Sequence, residues 1–268
     1  MNSNRFREKL RGIRHFVLDM DGTIFLGSRV FPFAVDFLEE LNRRGVQYVF
    51  LSNNSSRNVK EYEKKLRKMG IPVRRDQIYT SAEATMEYLT EQGIGHVYLV
   101  GTKSLHAAFR EAGFDPEAEN PQAVVVGFDT ELTYEKLNQA CAWIRKGVPF
   151  VATHPDLNCP MENGDMWPDC GAITAAITAA TGVVPRVLGK PNPGMLRGLQ
   201  RRLKVGPENM LLVGDRLSTD IQMGRRFGIL TVLVLTGEAT RRDLAQSSVQ
   251  PDFVVERISD LLKYLPNS

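Results

Sequence analysis

Apolar positions fall along this chain in two alternating rhythms. Short unbroken runs at 16–18, 46–51, 96–100, 123–127, 149–152, 210–213 and 229–235 suit strands buried on both faces of a parallel sheet. Between them the spacing turns helical. Val35, Leu38 and Leu41 fall within 34–44, which Gly45 closes, and a strongly charged stretch at 59–69 ends at Gly70; a glycine just past the last turn is a common helix stop. Further helices are predicted over 81–91, 134–145 and 171–181, the last rich in Ala and Thr and closed by Gly182. Residues 251–255 suit an edge strand before a C-terminal helix. Strand, helix, strand order predicts an α/β protein with right-handed parallel crossovers.

The rhythm restarts after about residue 95, and exposed loop tips are where insertions are tolerated. Residues 82–187 are therefore expected to form an inserted domain, with 1–81 and 188–268 making the core. The chain has 268 residues, ample for a proper core, with 43% hydrophobic and 24% charged positions, as in ordinary globular proteins. A net charge of +3 with scattered Lys and Arg gives no footprint for nucleic acid. The start, MNSNRFREKLRG, has no apolar signal-peptide core, and no apolar run is long enough to span a bilayer. A cytoplasmic protein with no membrane partner is expected. Cys141, Cys159 and Cys170 are odd in number and lack CxxC spacing, so neither a disulfide framework nor a standard zinc site is indicated. The spacings of His154, Cys159, Asp169 and Cys170 match no familiar metal site.

Chemistry concentrates where the strands end. In HFVLDMDGTI the apolar run delivers Asp19 to its carboxyl end, with Asp21 two residues on. In open α/β sheets ligands bind outside the carboxyl ends of strands, and two close carboxylates repel unless a cation lies between them or one holds a proton. A calcium loop is excluded, because Ile24 stands where its glycine belongs and Val30 where its glutamate belongs. The second strand runs into Ser52, Asn53, Asn54, Ser55 and Ser56. Hydroxyls and amides of this kind donate to phosphate or cap a helix. Gly189, Lys190, Pro191, Asn192 and Pro193 hold a lysine between helix-breaking residues, and a fixed ammonium can oppose a carboxylate or a phosphoryl oxygen. A strand at 210–213 then delivers Gly214 and Asp215, and Asp220 is placed to open the next helix and bond loop amides.

Singly each signal has an ordinary structural explanation. In order, spacing and residue type the four segments DMDGT, LSNN, GKPNP and GDRLSTD resemble the motifs of the haloacid dehalogenase-like (HAD) hydrolases. The stretches VATHPDLNCP and GAITAAITAATG are similar to those of subclass IIA, the NagD-like and 4-nitrophenylphosphatase-like phosphatases. The resemblance covers essentially the whole chain. It implies a Rossmann-like parallel-sheet core carrying an inserted α/β cap domain, and a magnesium-dependent phosphatase acting on small phosphomonoesters, sugar phosphates or similar metabolites, through an aspartyl phosphate. It implies Asp19 as nucleophile and Asp21 as general acid and base. Mg2+ would be held by the Asp19 carboxylate, the Asp21 backbone carbonyl and Asp215, with Asp220 in support. Ser52, Asn53, Asn54 and Lys190 would hold phosphate, and the cap would select the leaving group and act as a possible dimer surface. Asn158 and Cys159 are the candidate cap contacts. In pyridoxal-phosphate phosphatases of the subclass a histidine stands where Cys159 stands here, which counts against pyridoxal phosphate.

Rival classes fit less well. A response-regulator receiver needs its phosphorylated Asp at the later strand end that Ser52 occupies here. A true dehalogenase lacks the second acid, whereas Asp21 is present. A phosphomutase on the same core usually carries a helical cap, and a non-catalytic phosphate-binding regulator has no need of the retained Asp19, Asp21, Lys190 and Asp215. The dinucleotide fingerprint fails at Tyr98, and no GxSxG elbow for a serine hydrolase is present.

Overall fold

A computed structural model describes residues 3–160 and 165–265. Among the described residues the strands are β1 (His15–Asp19), β2 (Phe25–Leu26), β3 (Arg29–Val30), β4 (Gln47–Ser52), β5 (Ile78–Thr80), β6 (Val97–Val100), β7 (Ala123–Val126), β8 (Phe150–Ala152), β9 (Asn158–Pro160), β10 (Met166–Pro168), β11 (Arg186–Val187), β12 (Met210–Gly214), β13 (Leu230–Val234) and β14 (Phe253–Val255). The helices are α1 (Ser3–Leu10), α2 (Pro32–Arg43), α3 (Val59–Lys68), α4 (Ser81–Glu91), α5 (Lys103–Glu111), α6 (Tyr134–Arg145), α7 (Cys170–Thr181), α8 (Gly194–Leu203), α9 (Gln222–Phe227) and α10 (Arg241–Gln246). They assemble into two compact units. The first is drawn from the described residues of Met1–Ser52, Glu63–Tyr79 and Leu196–Ser268, the second from those of Asn53–Tyr62 and Thr80–Met195.

The first unit is organised on a six-stranded sheet of order β14-β13-β12-β1-β4-β5. β1 pairs in parallel with both β4 and β12, and β12, β13 and β14 continue in parallel. Phe16, Val17 and Leu18 are wholly buried, as their unbroken apolar run requires of a central strand. The chain steps from β1 to β4 on one side and later fills β12 on the other. The carboxyl ends of β1 and β12 therefore flank the point where strand order reverses, the usual ligand crevice of such sheets. The first and last described elements meet at this sheet's β14 edge. Phe6 of α1 stacks on Phe253 with ring centroids 4.0 Å apart, and Tyr264 meets both rings edge-on.

The second unit has a four-stranded parallel sheet of order β11-β8-β7-β6. Alternate residues build its two cores. Val97, Leu99, Val125 and Val151 meet Leu105 and Phe109 of α5 on one face. Val100, Val124, Val126 and Phe150 meet Ile144 of α6 and Ile177 of α7 on the other. The two-residue period of a strand divides the apolar set in this way.

Most expected elements are present within a residue or two of their expected limits. Two differ. The expected C-terminal helix is a six-residue 3-10 segment, Ile258–Lys263, and Asp220 lies inside a π-helical turn, Leu217–Ile221, that precedes α9. The antiparallel pair β9 and β10, the pair β2 and β3, and the short strands β5 and β11 add to what periodicity showed. No helix among the described residues is long and apolar enough to cross a membrane.

Candidate active site

In the first unit, register brings the acids together. Leu18 lies opposite Val213, and Asp19 opposite Leu51. Asp215 and Ser52 thus each follow by one position the residue level with Asp19 on the flanking strands. Asp19, Asp215 and Asp220 are 7%, 2% and 0% exposed, and one carboxylate oxygen from each lies within 4.8 Å of the other two. Three buried carboxylates this close repel strongly in the absence of a positive charge.

The surrounding backbone confines them. Asp215 Oδ2 accepts the Glu238 amide at 2.7 Å, Asp220 Oδ2 accepts the Arg216 amide at 3.2 Å, and Thr23 Oγ1 donates to Asp19 Oδ2 at 3.5 Å. Gly22, at φ +81°, and Gly237 both press on Asp215, where a Cβ at either position would collide with the carboxylate. Hard, anionic oxygen donors held without room to splay suit a small oxygen-seeking cation such as Mg2+.

Asp21 stands apart from the buried trio. Its side chain keeps a face open to solvent. The protein around it nonetheless raises its carboxyl above the ordinary carboxylate pKa, against the pull of the Gly27 amide and the charges of Lys65 and Arg216.

In the second unit, Asn53 and Lys190 are buried and joined. The Lys190 amide donates to Asn53 Oδ1 at 2.8 Å, and Asn53 Nδ2 donates to the Lys190 carbonyl at 3.1 Å. The same Nδ2 lies 3.1 and 3.3 Å from the Asp156 carboxylate oxygens. Asn54 Oδ1 accepts from both the amide and the hydroxyl of Ser56, at 3.0 and 2.8 Å, closing the loop after β4.

Asn158 is exposed and Cys159 half-buried on β9, opposite Pro168 and Trp167 of β10. His154, Asp156 and Asp169 form a second cluster with ligand-type atoms within 4.8 Å. Hydrogen bonds already engage it: His154 Nδ1 meets Thr153 Oγ1 at 2.8 Å, His154 Nε2 meets Asp169 Oδ1 at 2.9 Å, and Asp169 caps α7 through the Cys170 amide at 2.6 Å. Burial pushes the Cys170 thiol up to about 12, so it is a packed, unreactive group.

Sequence reasoning missed Asp156, which sits plainly in HPDLN but carries no signal until its partner is known. It also missed Gly237 and the Glu238 amide, in a loop with no periodicity.

A parallel α/β sheet with a buried triad of carboxylates at its switch point defines a protein with a cation-binding crevice at the strand ends, and comparison with known proteins gives its class. A model for haloacid dehalogenase-like hydrolases matches residues 16–115, and a second, HAD-hydrolase-like model matches residues 187–261. An acid sugar phosphatase of Staphylococcus aureus is 33% identical over 96% of this chain and 99% of its own length. A crystal structure of 4-nitrophenylphosphatase from Thermotoga maritima is 44% identical, covering 95% of this chain and 98% of that one, with a TM-score of 0.91. NagD from Escherichia coli K-12 is 29% identical over 92% of this chain and 98% of its own, with a TM-score of 0.87. The chain belongs to the haloacid dehalogenase-like hydrolases, and within them to the NagD-like phosphatases; it is a phosphoric monoester hydrolase.

Proposed function

We propose that this enzyme is a cytoplasmic, Mg2+-dependent phosphatase of small phosphorylated metabolites, sugar phosphates among them, that works through an aspartyl phosphate. The observation that carries the reading is the burial of Asp19, at the end of β1, of Asp215, just past β12, and of Asp220, in the turn that follows, with one carboxylate oxygen from each within 4.8 Å of the others. The names of the relatives, an acid sugar phosphatase and a 4-nitrophenylphosphatase, support the substrate class. Residues 82–187 would act as the cap that excludes water and selects the leaving group.

Asp19, Asp215 and the Asp21 carbonyl would hold Mg2+, with Asp220 supporting them; the ion supplies charge neutralisation that lets an anionic nucleophile approach an anionic ester. An Asp19 oxygen attacks phosphorus in line as the bond to the leaving oxygen breaks. Asp21 gives its proton to that oxygen, and the alcohol departs. Asp21, now a base, takes a proton from water, whose oxygen attacks the aspartyl phosphate and frees phosphate and Asp19. Ser52, the backbone amides of Asn53 and Asn54, and the Lys190 ammonium would hold the transferring group.

The test is steady-state phosphate release from a panel of phosphomonoesters with and without Mg2+, with Asp19→Asn beside the wild type. Release that needs Mg2+ and falls by at least about 10^3-fold in Asp19→Asn is expected. Release that is indifferent to both would refute the mechanism, and the ranking of esters defines the substrate class.

A further inference from the structure

We propose that the Asn53 side chain and Asp156 are positioning residues for Lys190, so that a carboxylate in the loop after β8 sets the direction of the lysine assigned to the phosphoryl group. The inference rests on the phosphatase reading of Lys190 and deepens it.

The geometry is specific. One side-chain amide engages both backbone groups of one residue: Asn53 Oδ1 takes the Lys190 N–H at 2.8 Å, and Nδ2 gives a hydrogen to the Lys190 carbonyl at 3.1 Å. This is what a neighbouring strand would do, performed by a side chain. Only one orientation of the amide is possible, because its nitrogen faces three acceptor oxygens, one from Lys190 and two from Asp156.

Asn53 has no slack of its own. Its carbonyl accepts the Ser81 hydroxyl at the start of α4, and the residue is 7% exposed. Asp156 is anchored too, its carbonyl accepting the Gly171 amide in α7 at 2.8 Å. Gly171 is packed so closely there that a Cβ would lie 2.8 Å from that same oxygen.

The residue before the lysine is equally confined. Gly189 donates to the Thr153 carbonyl at 2.7 Å, and a Cβ on it would sit 2.6 Å from that oxygen, 2.7 Å from Asn53 Oδ1 and 2.8 Å from His154 Cβ. Two chain segments, at 53 and 153–154, thus confine the backbone of Gly189 and Lys190. A lysine ammonium sits at the end of a four-carbon stem, so rotation at its Cα is magnified at Nζ. Misplacement of about 1 Å can lower a rate by about 10^2-fold.

Asp156 lies close to His154 and Asp169, and a cation is the rival use for such a trio. Hydrogen bonds already engage both ring nitrogens of His154, Oδ1 of Asp169 and both carboxylate oxygens of Asp156. The structure assigns Asp156 to the amide.

Four variants test the assignment: Asn53→Asp, Asp156→Asn, the two combined, and Asp156→Ala. Each is measured for kcat, KM, inhibition by inorganic phosphate and thermal midpoint. Asn53→Asp sets a second carboxylate against Asp156 and the Lys190 carbonyl, and kcat/KM is expected to fall by about 10^2-fold or more with weaker phosphate inhibition. Adding Asp156→Asn reverses donor and acceptor across that contact and should recover about tenfold of the loss, whereas a merely destabilising pair would show no such coupling. Asp156→Asn alone keeps an acceptor oxygen and should lose less than Asp156→Ala.

Folded Asn53→Asp and Asp156→Ala enzymes with wild-type kcat/KM and phosphate inhibition would overturn the inference while leaving the phosphatase reading intact. Loss without recovery in the double variant would overturn it as well. If Asn53→Asp does not fold, Asp156→Ala against Asp156→Asn decides in the same way. Wild-type protein that releases no phosphate from any ester would overturn the phosphatase reading itself.

Discussion

Asp215 shows how little freedom a single buried carboxylate is given. Its Oδ2 accepts the Glu238 amide, while Gly22 and Gly237 close on it from two sides. Removing one of those glycines tests whether the confinement matters. Gly237→Ala is expected to lower Mg2+ affinity by about 10- to 100-fold, the range seen when the supports of a metal ligand are disturbed; titrating activity against Mg2+ would show it, and an unchanged half-saturation would refute it. At this scale the sequence showed the acids well, because Asp19, Asp21, Asp215 and Asp220 all fall at or just beyond the carboxyl ends of buried apolar runs, and their combination singles them out where each alone would not. Glu238 contributes through a backbone amide and Asp156 through a long-range partner, and neither kind of contribution leaves a mark on residue type.

At the scale of elements, α5 offers a pH test independent of catalysis. His106 Nε2 lies 3.1 Å from the Leu99 carbonyl of β6. Burial lowers its pKa below the usual 6.5, helped by Lys136 and Arg110 and opposed by Glu117 and the Leu99 hydrogen bond. The folded protein thus disfavours the imidazolium relative to the unfolded chain. Stability from this group is full above about pH 6.5 and is lost as pH falls towards the lowered folded value, by at most about 1.4 kcal/mol per pH unit. His106→Asn should flatten the dependence of the denaturant midpoint between about pH 5.5 and 7; equal slopes in variant and wild type would contradict it. Long strands and capped helices were predictable here, since two-faced burial and terminal glycines are local signals. The π-helical turn at Leu217–Ile221 was not: Asp220 accepts a loop amide, that of Arg216, as expected, but from within this turn and not from the start of a regular helix. The pairing of β9 with β10, in which Cys159 faces Trp167, likewise depends on a partner rather than on its own pattern.

For the whole molecule, the acid triad belongs entirely to the first compact unit, so a cation bound there is linked to that unit's folding. Mg2+ at about 100 times its dissociation constant should stabilise the protein by about 2.7 kcal/mol, raising the midpoint of the far-ultraviolet dichroism transition, and EDTA should reverse it. Asp215→Asn is expected to abolish the metal-dependent part. A wild-type midpoint indifferent to Mg2+ would mean that the triad does not bind it.

The sequence by itself determined the α/β class, the limits of the long elements and four chemically suggestive segments, because burial period and strand-end residue type are properties of neighbouring positions. Only the tertiary structure decided that Asp19 and Asp215 come to the ends of adjacent strands at the reversal of strand order, that Asp220 joins them, and that Asn53, itself met by Asp156, clamps the Lys190 backbone. The pairs Asp19–Asp215, Asn53–Lys190 and Asn53–Asp156 each join residues more than a hundred positions apart, and such relations depend on sheet order, register and long-range hydrogen bonds, which no local run of side chains encodes.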